Sequence, residues 1–316
     1  MLEKGVVVKS TGKWYIVAMP DGSHVNCRIR GKLRLDGLRT TNPLSVGDIV
    51  HVSDEIDGEG NRMIEDFDPR RNYIVRKSTN LSKQKQIIAA NIDRAYLIVT
   101  LKSPVTHLAF IDRFLVAAES FRIPTTLLFN KTDLLNKDEL EYIEALRFMY
   151  GECGYPSEII SAKDGGNIDF LREEIKGKQV VISGHSGVGK STLINALDPN
   201  LNVKTGAISK AHQQGQHTTT FAEMHQLETG GYIIDTPGIR AFGIVDLDKA
   251  VISHYFPEMR ERMQDCKFHN CLHINEPHCA IKAAVESGEI FESRYDTYLQ
   301  LMEEDENEVH RKNPFA

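Results

Sequence analysis

Gly184-His185-Ser186-Gly187-Val188-Gly189-Lys190-Ser191 is an uninterrupted match to the phosphate-loop pattern G-x-x-x-x-G-K-[ST], and its flanks decide the fold around it. Before it, residues 180–183 form an apolar run expected to be a buried strand. After it, 192–197 reads as the start of a helix. A strand that turns through glycines into a helix closes backbone N–H groups around phosphate oxygens, and the helix N-terminus adds positive potential. In such a loop Lys190 reaches the β- and γ-phosphates, Ser191 ligates Mg²⁺, and Thr192 carries the lining into the helix. The pattern specifies a nucleoside triphosphate and leaves the base open.

Working upstream, the base is named by Asn130-Lys131-Thr132-Asp133, directly after the apolar run 125–129. A carboxylate at Asp133 can accept from both N1–H and the exocyclic amine of guanine, a donor pair that adenine lacks. Asn130 and Lys131 are expected to brace the loop and cover the ring. Ser161-Ala162-Lys163, after the strand 158–160, matches the S-A-K loop that meets the base through backbone N–H. Downstream, Asp235-Thr236-Pro237-Gly238 follows the apolar run at 232–234 and matches D-x-x-G, with Asp235 on Mg²⁺ through water and the Gly238 N–H sensing the γ-phosphate. Thr218, Thr219 and Thr220 lie where a switch threonine belongs, and the sequence does not choose among them.

The order of these motifs is rotated. Ras-like GTPases place the phosphate loop first and the guanine motifs last, whereas here 130 and 161 precede 184. The central region is therefore expected to be a circularly permuted P-loop GTPase built on a parallel α/β sheet. In that order the segment after Gly238 leads straight into the C-terminal region, so γ-phosphate sensing is expected to move that region. Ile239 occupies the place of the water-orienting Gln of Ras-type enzymes, and an aliphatic side chain cannot orient water. Intrinsic hydrolysis should be slow. His217 is the local candidate for positioning the water, beside the plainer reading of a solvated loop histidine.

Five short strand patterns at 5–10, 14–19, 24–30, 48–53 and 62–66 point to a small N-terminal barrel. The oligonucleotide-binding (OB) type is favoured, although periodicity alone does not separate it from an SH3-like one. Arg28, Arg30, Lys32, Arg34 and Arg39 face only Asp36 in sequence, and Arg70, Arg71, Arg76, Lys77, Lys83 and Lys85 continue the excess. With Trp14 and Tyr15 available for stacking, this reads as a basic groove for RNA. Cys266, Cys271, His273 and Cys279 supply three thiolates and one imidazole, a closed tetrahedral set for one structural Zn²⁺, with His269 and His278 as alternative fourth ligands. The domains are expected at 1–68, 72–243 and 244–316, the last helical.

The chain has 316 residues, net charge −6 and 26% charged residues, a composition that excludes wholesale disorder and confines any nucleic-acid surface to a local patch. No apolar run approaches the roughly 20 residues a membrane span needs, and residues 1–5 open no signal peptide. Five cysteines, an odd count, argue against a disulfide framework. A cytoplasmic protein with no membrane contact is expected.

This combination resembles the ribosome small subunit-dependent GTPase A family (RsgA, also called YjeQ or YloQ) over essentially the whole chain. The residues that carry it are 130–133, 184–192, 216–220, 235–238 and Cys266/Cys271/His273/Cys279. The resemblance implies a GTPase acting late in assembly of the small ribosomal subunit, binding its rRNA and stimulated by the subunit, with an aliphatic residue at Ile239. Gln216 departs from it, since the family carries Arg before His-Thr. His217 and Lys190 are the expected catalytic groups, GTP/GDP with Mg²⁺ the nucleotide set, and a monomer the expected state off the ribosome. Two other readings are open: a nucleotide-dependent RNA-binding module with little hydrolysis, and an ATP-using kinase, which Asp133 and Ser161-Ala162-Lys163 oppose.

Overall fold

A computed structural model describes residues 2–11, 14–30, 43–77, 85–203, 223–235 and 247–304. In chain order the strands and helices begin with β1 (Leu2–Ser10), β2 (Tyr15–Ala18), β3 (His24–Ile29), β4 (Ile49–Ile56), β5 (Arg62–Phe67), β6 (Tyr73–Lys77), β7 (Lys85–Ala90) and β8 (Arg94–Val99). They continue with α1 (Leu108–Ser120), β9 (Thr125–Phe129), α2 (Lys137–Glu152), β10 (Ser157–Ile159), α3 (Ile168–Ile175), β11 (Gln179–Ser183) and α4 (Lys190–Leu197). The last are β12 (Glu223–Gln226), β13 (Tyr232–Asp235), α5 (Pro257–Arg260), α6 (Ala280–Glu286) and α7 (Glu292–Glu303). The chain divides into two compact units, one of residues 1–95, 169–182 and 191–239, the other of 96–168, 183–190 and 240–316.

In the first unit β1-β2-β3-β5-β4 form a sheet that closes on itself where β1 pairs with β4. β3 and β5 run parallel and the other pairings are antiparallel, the five-stranded closed arrangement of an OB-fold. Alternation along each strand fills the barrel: Val7, Tyr15, Val17, Cys27, Val50 and Ile64 are fully buried together. β11 and β13 pair in parallel, β12 adds antiparallel to β13, and β12 also meets β1 through Lys9 and Glu223. The antiparallel pair β6–β7 lies at the start of the stretch expected to be the GTPase domain.

The second unit contains β10-β9-β8, with β9 and β10 parallel and every residue of β9 buried. Asn136 caps α2 in a reciprocal capping box with Glu139, at 3.0 and 2.9 Å. The C-terminal helices pack on α1: Phe256, Met259, Ile281, Tyr298 and Leu301 share a core with Val116. Inside the same unit Arg294 is fully buried. Its guanidinium bonds Glu258 at 2.8 and 3.2 Å and Asp112 at 2.9 Å, and Asp112 also accepts from Tyr150 (2.9 Å) and Thr297 (2.8 Å).

Four cations of the expected basic surface are paired within their own unit. Arg28 pairs with Glu59 at 2.6 Å and lies 3.5 Å over the Trp14 ring, while Arg30 bonds Glu65 and Glu55, each at 2.7 Å. Arg70 is buried against Asp48 at 2.6 and 2.7 Å, and Arg71 meets Asp93 at 2.7 Å. Tyr15 points into the barrel, 1% exposed, and cannot stack on a base. These four arginines are each answered by acids 22 to 35 positions away in sequence. Lys32, Arg34, Arg39 and Lys83 lie outside the described residues.

Candidate functional site

The phosphate loop leaves β11 at Ser183 and enters α4 at Lys190. Two of its glycines are steric requirements. At Gly184 (φ 145°) a Cβ would stand 2.8 Å from the Ile98 carbonyl, and at Gly189 (φ 106°) it would stand 2.5 Å from the Asn130 amide nitrogen. Val188 is buried, whereas Ser186 and Gly187 are exposed at the mouth of the loop. The Lys190 ammonium donates to the carbonyls of Gly184 and His185, both at 2.6 Å, and is thereby held across the loop. Ser191 and Thr192 occupy the first turn of α4.

Asn130 joins three of the predicted motifs through one buried amide. Its Nδ2 donates to the Val188 carbonyl at 2.9 Å, and its Oδ1 accepts the Ala162 N–H at 3.0 Å. Lys131 has a left-handed backbone (φ 64°) and donates to the carbonyls of Gly187, at 2.6 Å, and Ser103. The loop at 101–106 that receives it went unnoticed in the sequence, having no motif of its own. Thr132 donates to the Ile160 carbonyl at 3.4 Å, and the Lys163 ammonium stands 3.9 Å from the Asp133 carboxylate. Ser161 turns its hydroxyl to Asp164 at 3.0 Å, shaping the S-A-K turn. Residues 130–133, 161–163 and 184–190 thus converge. Asp235 ends β13, in register with Glu223. His217, Thr218, Thr219, Thr220, Gly238 and Ile239 lie outside the described residues.

Replacing Asn130 with Ala leaves the Val188 carbonyl and the Ala162 N–H unpaired in a buried site, at about 1–3 kcal/mol each. The dissociation constant for GDP, read by fluorescence titration, is expected to rise at least about 100-fold.

Cys266, Cys271, His273 and Cys279 form a second cluster in the second unit, all four ligand atoms within 4.8 Å of one another. Cys266 Sγ lies 3.6 Å from His273 Nδ1, Cys279 Sγ 3.4 Å from the same atom, and the two sulfurs are 4.0 Å apart. A tetrahedral Zn²⁺ with bonds of about 2.0–2.3 Å needs ligand atoms about 3.4–3.8 Å apart, so the donor set fits this ion. His273 is buried while His269 and His278 are exposed, which selects the fourth ligand. Burial lowers the His273 pKa and keeps the ring neutral, as a ligand must be. Burial also pushes the Cys271 thiol up to about 12, a cost that a bound cation reverses. The loop is anchored by Tyr295, whose hydroxyl donates to the His273 carbonyl, and by Tyr298, which donates to the Leu272 carbonyl. Glu276 accepts N–H bonds from Leu272 (2.7 Å), Ile274 (2.9 Å) and Asn275 (3.1 Å). This acid within the Cys/His window was open to notice in the sequence and was missed.

The chain matches the family model described as RsgA GTPase over residues 67–245 and the RsgA N-terminal domain over residues 4–61. It is 53% identical over 305 residues to a small ribosomal subunit biogenesis GTPase RsgA of Christiangramia forsetii, covering 96% of this chain and 97% of that one. A relative from Bacteroides thetaiotaomicron, named small ribosomal subunit biogenesis GTPase RsgA 2, is 50% identical over 308 residues, covering 98% and 99%. The crystal structure of YjeQ from Thermotoga maritima is similar at a TM-score of 0.78 with 35% identity, covering 99% of this chain and all of that one. YloQ, a circularly permuted GTPase, matches at a TM-score of 0.76 with 29% identity, covering 99% and 96%.

Proposed function

The chain belongs to the RsgA GTPase family, and on that premise we propose that it hydrolyses GTP to GDP and phosphate in small-subunit biogenesis, slowly alone and faster on the small ribosomal subunit, whose rRNA it binds. The observation that carries the nucleotide reading is the Asn130 amide, which clasps the phosphate loop and the S-A-K loop together beside Asp133.

The roles follow from the chemistry of each group. Asp133 reads the two guanine donors, with Lys131, Thr132 and Ser161-Ala162-Lys163 around the base. The backbone of 184–192 receives the phosphates, and Lys190 presents its charge to the bridge that breaks. Ser191, one of Thr218–Thr220 and Asp235 are suited to hold Mg²⁺, which when bound neutralises charge developing on the phosphate oxygens. Gly238 senses the γ-phosphate, and His217 orients the attacking water in place of the Gln that Ile239 displaces. Cys266, Cys271, His273 and Cys279 hold one structural Zn²⁺. The working division is a barrel at 1–68, the GTPase domain at 72–243 and the zinc region at 244–316, monomeric off the subunit and cytoplasmic. No helix among the described residues is long and apolar enough to cross a membrane.

The test is GTP hydrolysis at fixed enzyme with and without purified small subunits, with ATP as competitor. A slow basal rate that rises strongly with subunits and ignores ATP is expected. Tight GTP binding with a rate unmoved by subunits would instead make the protein a nucleotide-dependent binding module.

A further inference from the structure

The His185 ring, inside the phosphate loop, stacks on Phe110 in the first turn of α1, with centroids 3.8 Å apart and planes 29° from parallel. The next residues of the same helix hold a different part of the unit. Asp112 accepts from Arg294 and Thr297 on α7, and Arg113 grips both carboxylate oxygens of Glu304, just past α7, at 2.9 and 2.5 Å. Four consecutive residues of α1 therefore span the phosphate loop and the last helix. His185 also supplies, through its carbonyl, an acceptor that helps hold the Lys190 ammonium, alongside the Gly184 carbonyl.

We propose that Phe110 is a positioning residue for the phosphate loop: its stack fixes His185, and with it Lys190, and makes phosphate occupancy felt along α1 at α7. The proposal rests on the loop taking a nucleotide, as argued above. Burial, Lys190 and His107 lower the His185 pKa, so the ring is neutral near pH 7 and stacks without the cost of a buried charge. The contact differs in kind from the buried Arg294 pair, since a stacked ring can shift by fractions of an ångström when the loop closes on phosphate, whereas Asp112 and Arg113, in the next turn of α1, keep the helix tied to Arg294 and Glu304.

The test compares Phe110→Leu with Phe110→Tyr in the full-length, zinc-loaded protein. Lys190 reaches the β-phosphate, so Phe110→Leu is expected to weaken GDP about 3- to 10-fold, the worth of one aromatic pair, and to leave GMP unchanged. Phe110→Tyr keeps the ring and should restore GDP binding. In the wild-type protein GDP should slow hydrogen exchange over residues 292–303, and in Phe110→Leu at saturating GDP it should not. If Phe110→Leu loses its zinc or its cooperative melting, His185→Leu removes the stack from the loop side and carries the same expectations. An unchanged GDP affinity, an equal loss for GMP and GDP, or exchange over 292–303 that is blind to GDP in the wild type or still responsive in Phe110→Leu overturns the proposal. A wild-type protein that binds no GDP at all refutes the nucleotide reading instead.

Discussion

Replacing Cys279 with Ser is expected to cost the loop at 266–279 its order and to leave the purified protein without a stoichiometric zinc. The apolar side chains of that loop explain the size of the effect. Phe268 is 40% exposed and Leu272 37% exposed, so they face solvent and contribute little core. The buried groups are the ligands themselves: Cys271, His273 and Cys279. Without the cation this is a set of desolvated thiols around an imidazole. With it, binding energy on the order of 10–16 kcal/mol becomes folding energy, as in small zinc modules. Zinc content by mass spectrometry and hydrogen exchange over 266–279, before and after chelation, read the outcome. Protection that survives both the substitution and chelation would mean the loop folds without metal.

Arg294→Met should destabilise the protein by about 3–5 kcal/mol, because it strands Asp112 and Glu258 as uncompensated buried carboxylates. The guanidinium also stands 4.7 Å from the Phe256 ring centroid, so the loss includes packing as well as charge. The pH dependence gives a sharper signature. Burial already pushes the Asp112 carboxyl above its usual range even with Arg294 beside it, and removing the cation pushes it further. A carboxyl raised in the folded state binds a proton more readily there than when unfolded. Its folded-state penalty is absent below the ordinary carboxylate range and grows as pH rises through the raised value. The gap between Arg294→Met and wild type in denaturant midpoint should therefore widen from pH 4 to pH 7. A gap independent of pH would show that lost packing, not stranded charge, is responsible. Replacing all three groups together by apolar residues should recover most of the loss.

What could be read without coordinates divides along physical lines. Buried parallel strands are apolar throughout, so 125–129 and 179–183 were legible almost to the residue, and each motif loop then followed at a strand end. The hairpin β6–β7 was not, since Tyr73–Lys77 and Lys85–Ala90 sit among polar and basic residues that mask their alternation. β12, Glu-Met-His-Gln, has one buried hydrophobe, Met224, and no readable period. Charge pairing was misjudged for a different reason: Arg28, Arg30 and Arg70 are answered from 31, 25 and 22 positions away, distances no local window spans. In the zinc cluster the ligand types were plain, while the choice of His273 over His269 and His278 depended on burial, which only folding decides.

A site whose loops are buttoned together by one amide is indifferent to the route by which the backbone visits them. Asn130 bonds across 58 positions to Val188 and across 32 to Ala162, and neither bond would notice if the peptide were cut between them and rejoined elsewhere. New ends placed at exposed loop tips leave such fastenings intact. Segment order in this domain is thus a neutral variable for binding, free to drift and to be fixed by whatever module happens to be fused at each new terminus. The rotated order then acquires a use of its own, because the two ends it creates lead into the barrel in one direction of the chain and into the Cys/His cluster and its flanking helices in the other.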